Sequence, residues 1–181
     1  MRVIAGKARG RKLLAPKSSS IRITADRVKE SLFNILHPLE GRSFLDLFAG
    51  TGNVGIEALS RGAKRVVFVE MARLHTGTIK KNLDLCGIDT GFEIVPKTVK
   101  KGIELLSMRG KCFDIIFADP PYEKGLIQTT LSILGEYRIT SKNGIIVMEH
   151  SSNEECRSND GFVVTDQRKY GDTVISFLQP N

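Results

Sequence analysis

The sequence has 181 residues, of which 41% are hydrophobic and 26% are charged, a composition typical of one soluble globular domain. No stretch approaches the roughly 20 consecutive apolar residues of a transmembrane helix. The N-terminus lacks the apolar run of a signal peptide, so we expect a cytoplasmic protein with no membrane association. Three cysteines and three histidines are too scattered along the chain to indicate a structural metal site.

The net charge of +7 is concentrated in the first 30 residues. This segment contains nine basic and two acidic residues, whereas the two kinds are equally frequent in the rest of the chain. A basic segment on a neutral body predicts a surface that faces a polyanion such as nucleic acid, although a solvated basic tail is the alternative. The basic residues that we expect at this surface are Arg2, Lys7, Arg9, Arg11, Lys12, Arg22 and Arg27.

The first 20 residues form a basic extension, which we expect to be distinct from a domain at residues 21–181. Apolar residues alternate loosely around Gly6 and Gly10, so a hairpin or short strands are predicted there. The Pro-Lys-Ser-Ser-Ser sequence at 16–20 has the composition of a linker. Residues 25–36 then place apolar side chains on one helical face, with Thr24 as the expected N-cap, and predict a helix.

Short apolar runs alternate with helical stretches in the rest of the chain. The runs predict strands at residues 43–48, 65–70, 92–96, 113–119 and 144–150, and the helical stretches lie at 52–61, 72–86, 99–108 and 125–134. This alternation is typical of a parallel sheet with helices on both faces. Two last runs, 162–170 and 173–178, are joined at Gly171-Asp172 and predict a hairpin, one strand of which runs antiparallel to the sheet. Gly77 is unfavourable inside the predicted helix 72–86.

A glycine-rich turn follows the first strand of the domain. Gly50, Gly52 and Gly55 match the G-x-G-x-x-G pattern, in which glycines allow a sharp turn and a close approach of a ligand to the main chain. Glu70 ends the next strand, where a carboxylate can hold both hydroxyl groups of a ribose. The pattern therefore predicts a nucleoside cofactor, but by itself it does not separate NAD from S-adenosylmethionine.

Asp46 favours S-adenosylmethionine. It lies inside the first strand, where an acid is costly unless it has a partner. In methyltransferases an acid in this region helps to hold the amino-acid end of the cofactor, directly or through water and neighbouring backbone. The structural alternative is an acid that caps the helix after a tight turn.

The fourth strand ends in Asp119-Pro120-Pro121-Tyr122. An amine on a nucleobase is a poor nucleophile because its lone pair is delocalised into the ring. Hydrogen bonds from the amine to the Asp119 carboxylate and to the Pro120 carbonyl would turn the lone pair towards an electrophile, and the prolines would stiffen the loop. Tyr122 offers a face on which a base can stack. A proline-stiffened turn without such a role is the alternative.

These residues resemble the bacterial 16S rRNA (guanine(966)-N2)-methyltransferases, which are class I enzymes of Rossmann-like fold. The similarity extends over nearly the whole chain and includes residues 2–13, 24–36, 46–52, 55–63 and 168–171. The Asp-Pro-Pro-Tyr motif is shared with adenine-N6 and cytosine-N4 enzymes, whereas the two N-terminal segments indicate ribosomal RNA. The resemblance implies an α/β fold with a mostly parallel seven-stranded sheet, helices on both faces, a C-terminal antiparallel hairpin and a small basic N-terminal extension.

The resemblance also implies the functional residues. S-adenosyl-L-methionine would be held by Asp46, Phe48, Gly50, Thr51, Gly52, Glu70, Met71 and Thr98. The target guanine would be handled by Asp119, Pro120 and Tyr122. The basic extension would grip 16S rRNA, within the small ribosomal subunit or its assembly intermediate. One departure lies at residues 96–99, where many class I enzymes carry an acid for the adenine amine, so Thr98 or a backbone group would serve instead.

Three other functions are compatible with parts of this pattern. A methyltransferase for adenine N6 or cytosine N4, in DNA or another RNA, would use the same two motifs. A nicotinamide-dependent oxidoreductase would explain Glu70 but would leave residues 119–122 without a role. A non-catalytic RNA-binding assembly factor would need only the basic extension.

Overall fold

Seven strands form one sheet in the order β3-β2-β1-β4-β5-β7-β6 in the computed structural model, which describes residues 1–15, 26–122, 124–159 and 161–181. The elements are α1 (Asp26–Leu36), β1 (Ser43–Leu47), α2 (Asn53–Ser60), β2 (Arg65–Val69), α3 (Arg73–Leu85), β3 (Phe92–Val95), α4 (Val99–Met108), β4 (Phe113–Ala118), α5 (Leu126–Tyr137), β5 (Thr140–Ser151), β6 (Phe162–Tyr170) and β7 (Thr173–Pro180). Strands β1 to β5 are parallel, and β7 is antiparallel to both β5 and β6. The predicted fold class is confirmed.

The sheet separates two hydrophobic cores. Successive side chains of β1 point to opposite faces, so Phe44 joins the core under α1, α2 and α3, whereas Leu45 joins the core under α4 and α5. Parallel strands that are buried on both faces have nearly continuous apolar sequences. Their positions could therefore be predicted from the sequence. No helix of the described residues combines the length and the apolar character needed to cross a membrane.

One predicted helix forms in spite of its unfavourable glycine, and one predicted strand boundary is wrong. Helix α3 continues through Gly77 without interruption, because that residue lies on the exposed side and Ile79 and Leu83 bury the other side. Burial of this face outweighs the cost of about 1 kcal/mol for a glycine in a helix. Strand β5 begins at Thr140, earlier than predicted, because Thr140 pairs with Phe113 before an irregularity in the register. The expected N-cap Thr24 and the linker at 16–20 lie outside the described residues.

Residues 1–15, here called the N-terminal arm, pack against the helices of the domain. The arm forms the predicted hairpin, in which Arg2 and Lys12 make an antiparallel bridge. Its apolar side chains, Val3, Ala8 and Leu13, are buried in the same core as α1 and α2. The arm therefore shares the hydrophobic core of the domain.

A buried ionic cluster fixes the arm to α1 and α2. Glu57 of α2 and Lys29 of α1 both have fully buried side chains and lie 3.4 Å apart, and Arg61 contacts the other Glu57 oxygen at 2.7 Å. Glu57 also accepts hydrogen bonds from the arm, from Ile4 N at 2.8 Å and Ala5 N at 3.0 Å. Burial lowers the pKa of Lys29, and the Glu57 carboxylate opposes that shift. Buried charges are tolerated when they are paired and hydrogen-bonded in this way.

The arm approaches α2 most closely at Gly6. This residue has φ +82°, and a Cβ atom built on it would lie 1.8 Å from the carbonyl oxygen of Ser60. The same carbonyl accepts a hydrogen bond from Lys7 N at 2.8 Å. Only glycine fits between the arm and the end of α2.

We expect Gly6→Ala to destabilise the protein more than Gly10→Ala. Gly10 has φ +84° but no atom within 4 Å of a built Cβ, so both variants carry the same left-handed strain of about 1–2 kcal/mol. The clash at Gly6 adds about 1–3 kcal/mol. Urea denaturation of the two variants measures the difference, and equal losses would contradict the close packing of arm and helix.

Candidate functional site

The two sequence motifs meet at the carboxyl edge of the sheet. Strands β1 and β4 are neighbours, and their register pairs Leu47 with Ala118. Residues 48–52 and 119–122, which follow these strands, therefore lie side by side. The strand order reverses between β1 and β4, and open α/β sheets bind ligands in the crevice at such a point.

The glycine loop, residues 48–52, turns through an unusual backbone conformation. Phe48, Gly50 and Gly52 have φ values of 58°, 55° and 81°, all in the left-handed region. Two hydrogen bonds hold the loop, from Ala49 N to Val69 O at 3.1 Å and from Gly52 N to Ala49 O at 2.8 Å. Left-handed φ is costly for Phe48, and such residues cluster at ligand sites where the surroundings enforce them.

Glu70 joins this loop to the start of α3. Its Oε2 accepts a hydrogen bond from Gly50 N at 2.9 Å and its Oε1 accepts one from Ala72 N at 2.8 Å. A carboxylate has about four acceptor sites, so the two oxygens retain capacity for hydroxyl groups. His75 Nδ1 lies 3.4 Å from Glu70 Oε1. Sequence reasoning missed His75, which only the turn of α3 brings back to the strand end.

Asp46 ties β1 to the first turn of α2. The residue is 2% exposed, and its Oδ2 accepts a hydrogen bond from Gly55 N at 2.9 Å. Burial, assisted by the nearby charge of Glu70, raises the pKa of Asp46 to about 7, although the Gly55 N–H favours the carboxylate. In this structure Asp46 satisfies the Gly55 N–H at the start of α2. Its role at the amino-acid end of a cofactor stays a prediction.

The other residues predicted to hold a cofactor differ in their surroundings. Thr51 is buried, and its hydroxyl donates to the sulfur of Met1 at 3.7 Å. Met71 follows Glu70 and is 69% exposed, so its side chain is available to a ligand at this edge. Thr98 is the N-cap of α4, and its hydroxyl accepts from Lys101 N at 3.5 Å. This hydroxyl therefore already serves the helix.

Residues 119–122 stand at the end of β4 as predicted. Pro120 is buried, Pro121 is exposed, and Asp119 and Tyr122 are partly buried. The register of β4 with β5 pairs Ala118 with Met148, which places the buried Glu149 beside Asp119. Glu149 could not be singled out from the sequence, because the residues around it have the pattern of an ordinary buried strand.

The predicted polyanion-facing residues lie on the surface. Their side chains are exposed on the arm, at Arg2, Lys7, Arg9, Arg11 and Lys12, and on α1, at Arg27. Arg2 pairs with Asp26 at 3.3 Å, and Arg22 lies outside the described residues. Among the described residues, no three His, Cys, Asp or Glu side chains are grouped closely enough to hold a metal ion.

The pKa of Asp46 predicts an unusual dependence of stability on pH. In the folded chain this pKa is about 7, whereas an unfolded aspartate titrates near 4. The folded chain therefore binds the proton more tightly, and its stability falls as the pH rises from about 4 to about 7. Asp46→Asn keeps an acceptor for Gly55 N without the charge. We therefore expect the variant to lose this slope of stability against pH and, without ligand, to be more stable than wild type at pH 8.

Urea denaturation at pH 5 and pH 8 tests this expectation. Asp114→Asn is the matched control on β4, because hydrogen bonds from Ser43 and Ser141 hold the pKa of Asp114 below its usual value although burial opposes them. Asp114 therefore titrates below this pH range, and its variant should keep the wild-type slope. An unchanged slope in Asp46→Asn would show that Asp46 is ionised throughout.

Comparisons with known proteins cover nearly the whole chain. The family described as "Conserved hypothetical protein 95" matches residues 1–179. A Bacillus subtilis protein named "Putative rRNA methyltransferase YlbH" is 36% identical over 99% of this chain and 98% of its own length. "Ribosomal RNA small subunit methyltransferase D" of Haemophilus influenzae is 34% identical over 98% of this chain and 91% of its own length.

A solved structure gives the same result for the fold. "Putative methyltransferase yhhF" from Escherichia coli superimposes with a TM-score of 0.86 at 30% identity, covering 100% of this chain and 98% of its own. The predicted resemblance to the bacterial 16S rRNA (guanine(966)-N2)-methyltransferases is confirmed, and the chain belongs to the family described as "Conserved hypothetical protein 95".

Proposed function

We propose that this protein is an S-adenosyl-L-methionine-dependent methyltransferase that modifies the exocyclic N2 amine of a guanine in 16S rRNA. The observation that carries the proposal is the pairing of Leu47 with Ala118, which sets the glycine loop beside Asp119-Pro120-Pro121-Tyr122. The printed names of the relatives, an rRNA methyltransferase and a small subunit methyltransferase, support RNA as the methyl acceptor. The reaction would take place in the cytoplasm, on the small ribosomal subunit or its assembly intermediate.

The residues at the crevice fit the proposed cofactor. Glu70 presents a carboxylate whose oxygens are positioned by Gly50 N and Ala72 N, an arrangement suited to the two ribose hydroxyls. The exposed Met71 offers an apolar surface for the adenine. The glycine loop brings main-chain groups close to the amino-acid end. When bound, S-adenosyl-L-methionine supplies a methyl group on an electrophilic sulfonium.

The remaining residues orient the guanine. The Asp119 carboxylate and the Pro120 carbonyl would accept hydrogen bonds from the N2 amine and direct its lone pair in line with that methyl group. Tyr122 would stack on the base after it leaves its own stack, at an unstacking cost of a few kcal/mol. Most of the acceleration would come from this positioning. Asp119 or water would take the proton that the amine releases.

Asp119→Ala tests the assignment of the base site. We expect methyl transfer to small subunits that lack the modification to fall by roughly 100-fold or more, while S-adenosylhomocysteine binding stays within about threefold of wild type. Label transferred from S-adenosylmethionine is measured with nucleoside analysis, which should identify N2-methylguanosine. Asp89→Asn, at an exposed position between α3 and β3, is the control. Full turnover in Asp119→Ala would contradict the scheme.

The same experiment separates the alternatives. Label in N6-methyladenosine or N4-methylcytidine would assign the enzyme to another base. RNA binding without any methyl transfer would favour a non-catalytic assembly factor. Thermal stabilisation by NADH instead of S-adenosylhomocysteine would favour an oxidoreductase.

The exposed lysines and arginines of the arm predict how RNA binding depends on salt concentration. Each lysine or arginine that neutralises a phosphate contributes about one unit to the slope of log affinity against log salt concentration. We expect Arg9→Ala combined with Arg11→Ala to reduce that slope by about two. The control combines Lys111→Ala with Lys142→Ala at the amino edge of the sheet, away from the site. An equal loss in both double variants would contradict a specific role of the arm.

A further inference from the structure

Asn82 of α3 connects the N-terminal arm to the glycine loop. Its side chain is fully buried, and both ends of its amide are used. Nδ2 donates to the carbonyl of Thr51 at 3.0 Å and to that of Leu14 at 3.3 Å, and Oδ1 accepts from Leu14 N at 2.7 Å. One amide thus joins the last part of the arm to the loop between β1 and α2.

The other end of the arm reaches the same stretch of chain. Lys29 Nζ donates to the carbonyl of Arg2 and to Asn53 Oδ1, both at 2.7 Å. The Met1 sulfur lies 3.7 Å from the Thr51 hydroxyl. Both ends of the arm are therefore held to residues 51–53, where the glycine loop becomes α2.

We propose that Asn82 is a positioning residue that makes RNA binding and cofactor binding cooperative. The inference rests on the proposed function, in which the exposed arginines of the arm contact RNA and the glycine loop holds S-adenosylmethionine. RNA bound to the arm favours the placement of Leu14 against Asn82, and Asn82 fixes the Thr51 carbonyl. Coupling of two sites requires one element whose position both ligands bias. The end of the arm at Leu14, which lies beyond the contacts with Glu57, is that element.

The contacts distinguish this role from general support of the fold. The Glu57 and Ser60 contacts attach the arm along α2, from Ile4, Ala5 and Ala8, and they do not touch the loop. Asn82 contacts the loop carbonyl itself. Loss of the Glu57 contacts would lower the free energy of unfolding, whereas loss of the Asn82 link would lower the cooperativity between the two ligands.

Leu14 offers a matched pair of variants. Its side chain is 44% exposed, so Leu14→Ala removes little from the core. The variant keeps the backbone N–H that donates a hydrogen bond to Asn82 Oδ1. Leu14→Pro removes that N–H. The pair therefore tests the hydrogen bond itself. Asn82→Ala is a third variant, which removes the link from the α3 side, and its thermal unfolding is measured to verify that it folds.

The experiment is calorimetric titration of S-adenosylhomocysteine, with and without saturating small ribosomal subunits that lack the modification. For wild type and Leu14→Ala we expect the subunits to tighten binding by roughly fivefold or more, within the range usual for coupled sites. For Leu14→Pro and Asn82→Ala, the subunits should leave the affinity for S-adenosylhomocysteine nearly unchanged. Without subunits, the affinity of these variants for S-adenosylhomocysteine should lie within about threefold of the wild-type value. At saturating subunits, the KM of these two variants for S-adenosylmethionine should exceed that of wild type by the factor with which subunits tighten binding to wild type. Their kcat should equal that of wild type.

The outcomes separate the inference from the proposed function. A wild-type enzyme that methylates the subunits but shows no coupling overturns the inference alone. So does coupling that Leu14→Pro retains. Failure of the wild-type protein to bind or methylate any RNA overturns the proposed function and the coupling with it.

Discussion

The carboxylate of Glu57 is fully buried where the N-terminal arm, α1 and α2 meet. It pairs with Lys29 of α1 and Arg61 at the end of α2, and it accepts the backbone N–H groups of Ile4 and Ala5 in the arm. A charge in such a place destabilises the fold by several kcal/mol when its partners are missing. The arm, α1 and α2 must therefore dock together. Because the glycine loop leads directly into α2, its position is set by the same cluster.

Two further acids hold the loop from the side of the sheet. Asp46 of β1 accepts from Gly55 N in the first turn of α2, and Glu70, directly after β2, accepts from Gly50 N within the loop. These bonds help to maintain the left-handed Phe48, a conformation of order 1–3 kcal/mol above the ordinary one. Burial, with a smaller contribution from the nearby charge of Glu70, raises the pKa of Asp46. The charged form of Asp46 is therefore destabilised in the folded chain.

The sequence predicted the sheet, its helices, the terminal hairpin and the meeting of the two motifs, because all of these follow from hydrophobic periodicity and from strand order. It could not identify the contacts that depend on three-dimensional docking. Lys29 was counted with the basic residues of the N-terminus, yet its ammonium group is fully buried against Glu57. Asn82 reads as one polar residue on an amphipathic helix. Thr98, expected at the adenine, also caps α4, because a threonine before a helix satisfies both descriptions. Its role toward a cofactor stays a prediction.

The exposed basic side chains of the arm are tied to the body of the domain. The arm shares its hydrophobic core with α1 and α2, so the proposed RNA-facing surface and the crevice between β1 and β4 belong to one packed structure. In-line transfer to a weakly nucleophilic amine demands accurate placement of two ligands relative to each other. The prolines at 120 and 121 and the bonds of Glu70 fix the two halves of the crevice to neighbouring strands, while the contacts of Asn82 with Leu14 and Thr51 relate the arm to one of those halves. Neighbouring strands thus fix the two motifs relative to each other, and in the proposed function the arm would determine where RNA meets them.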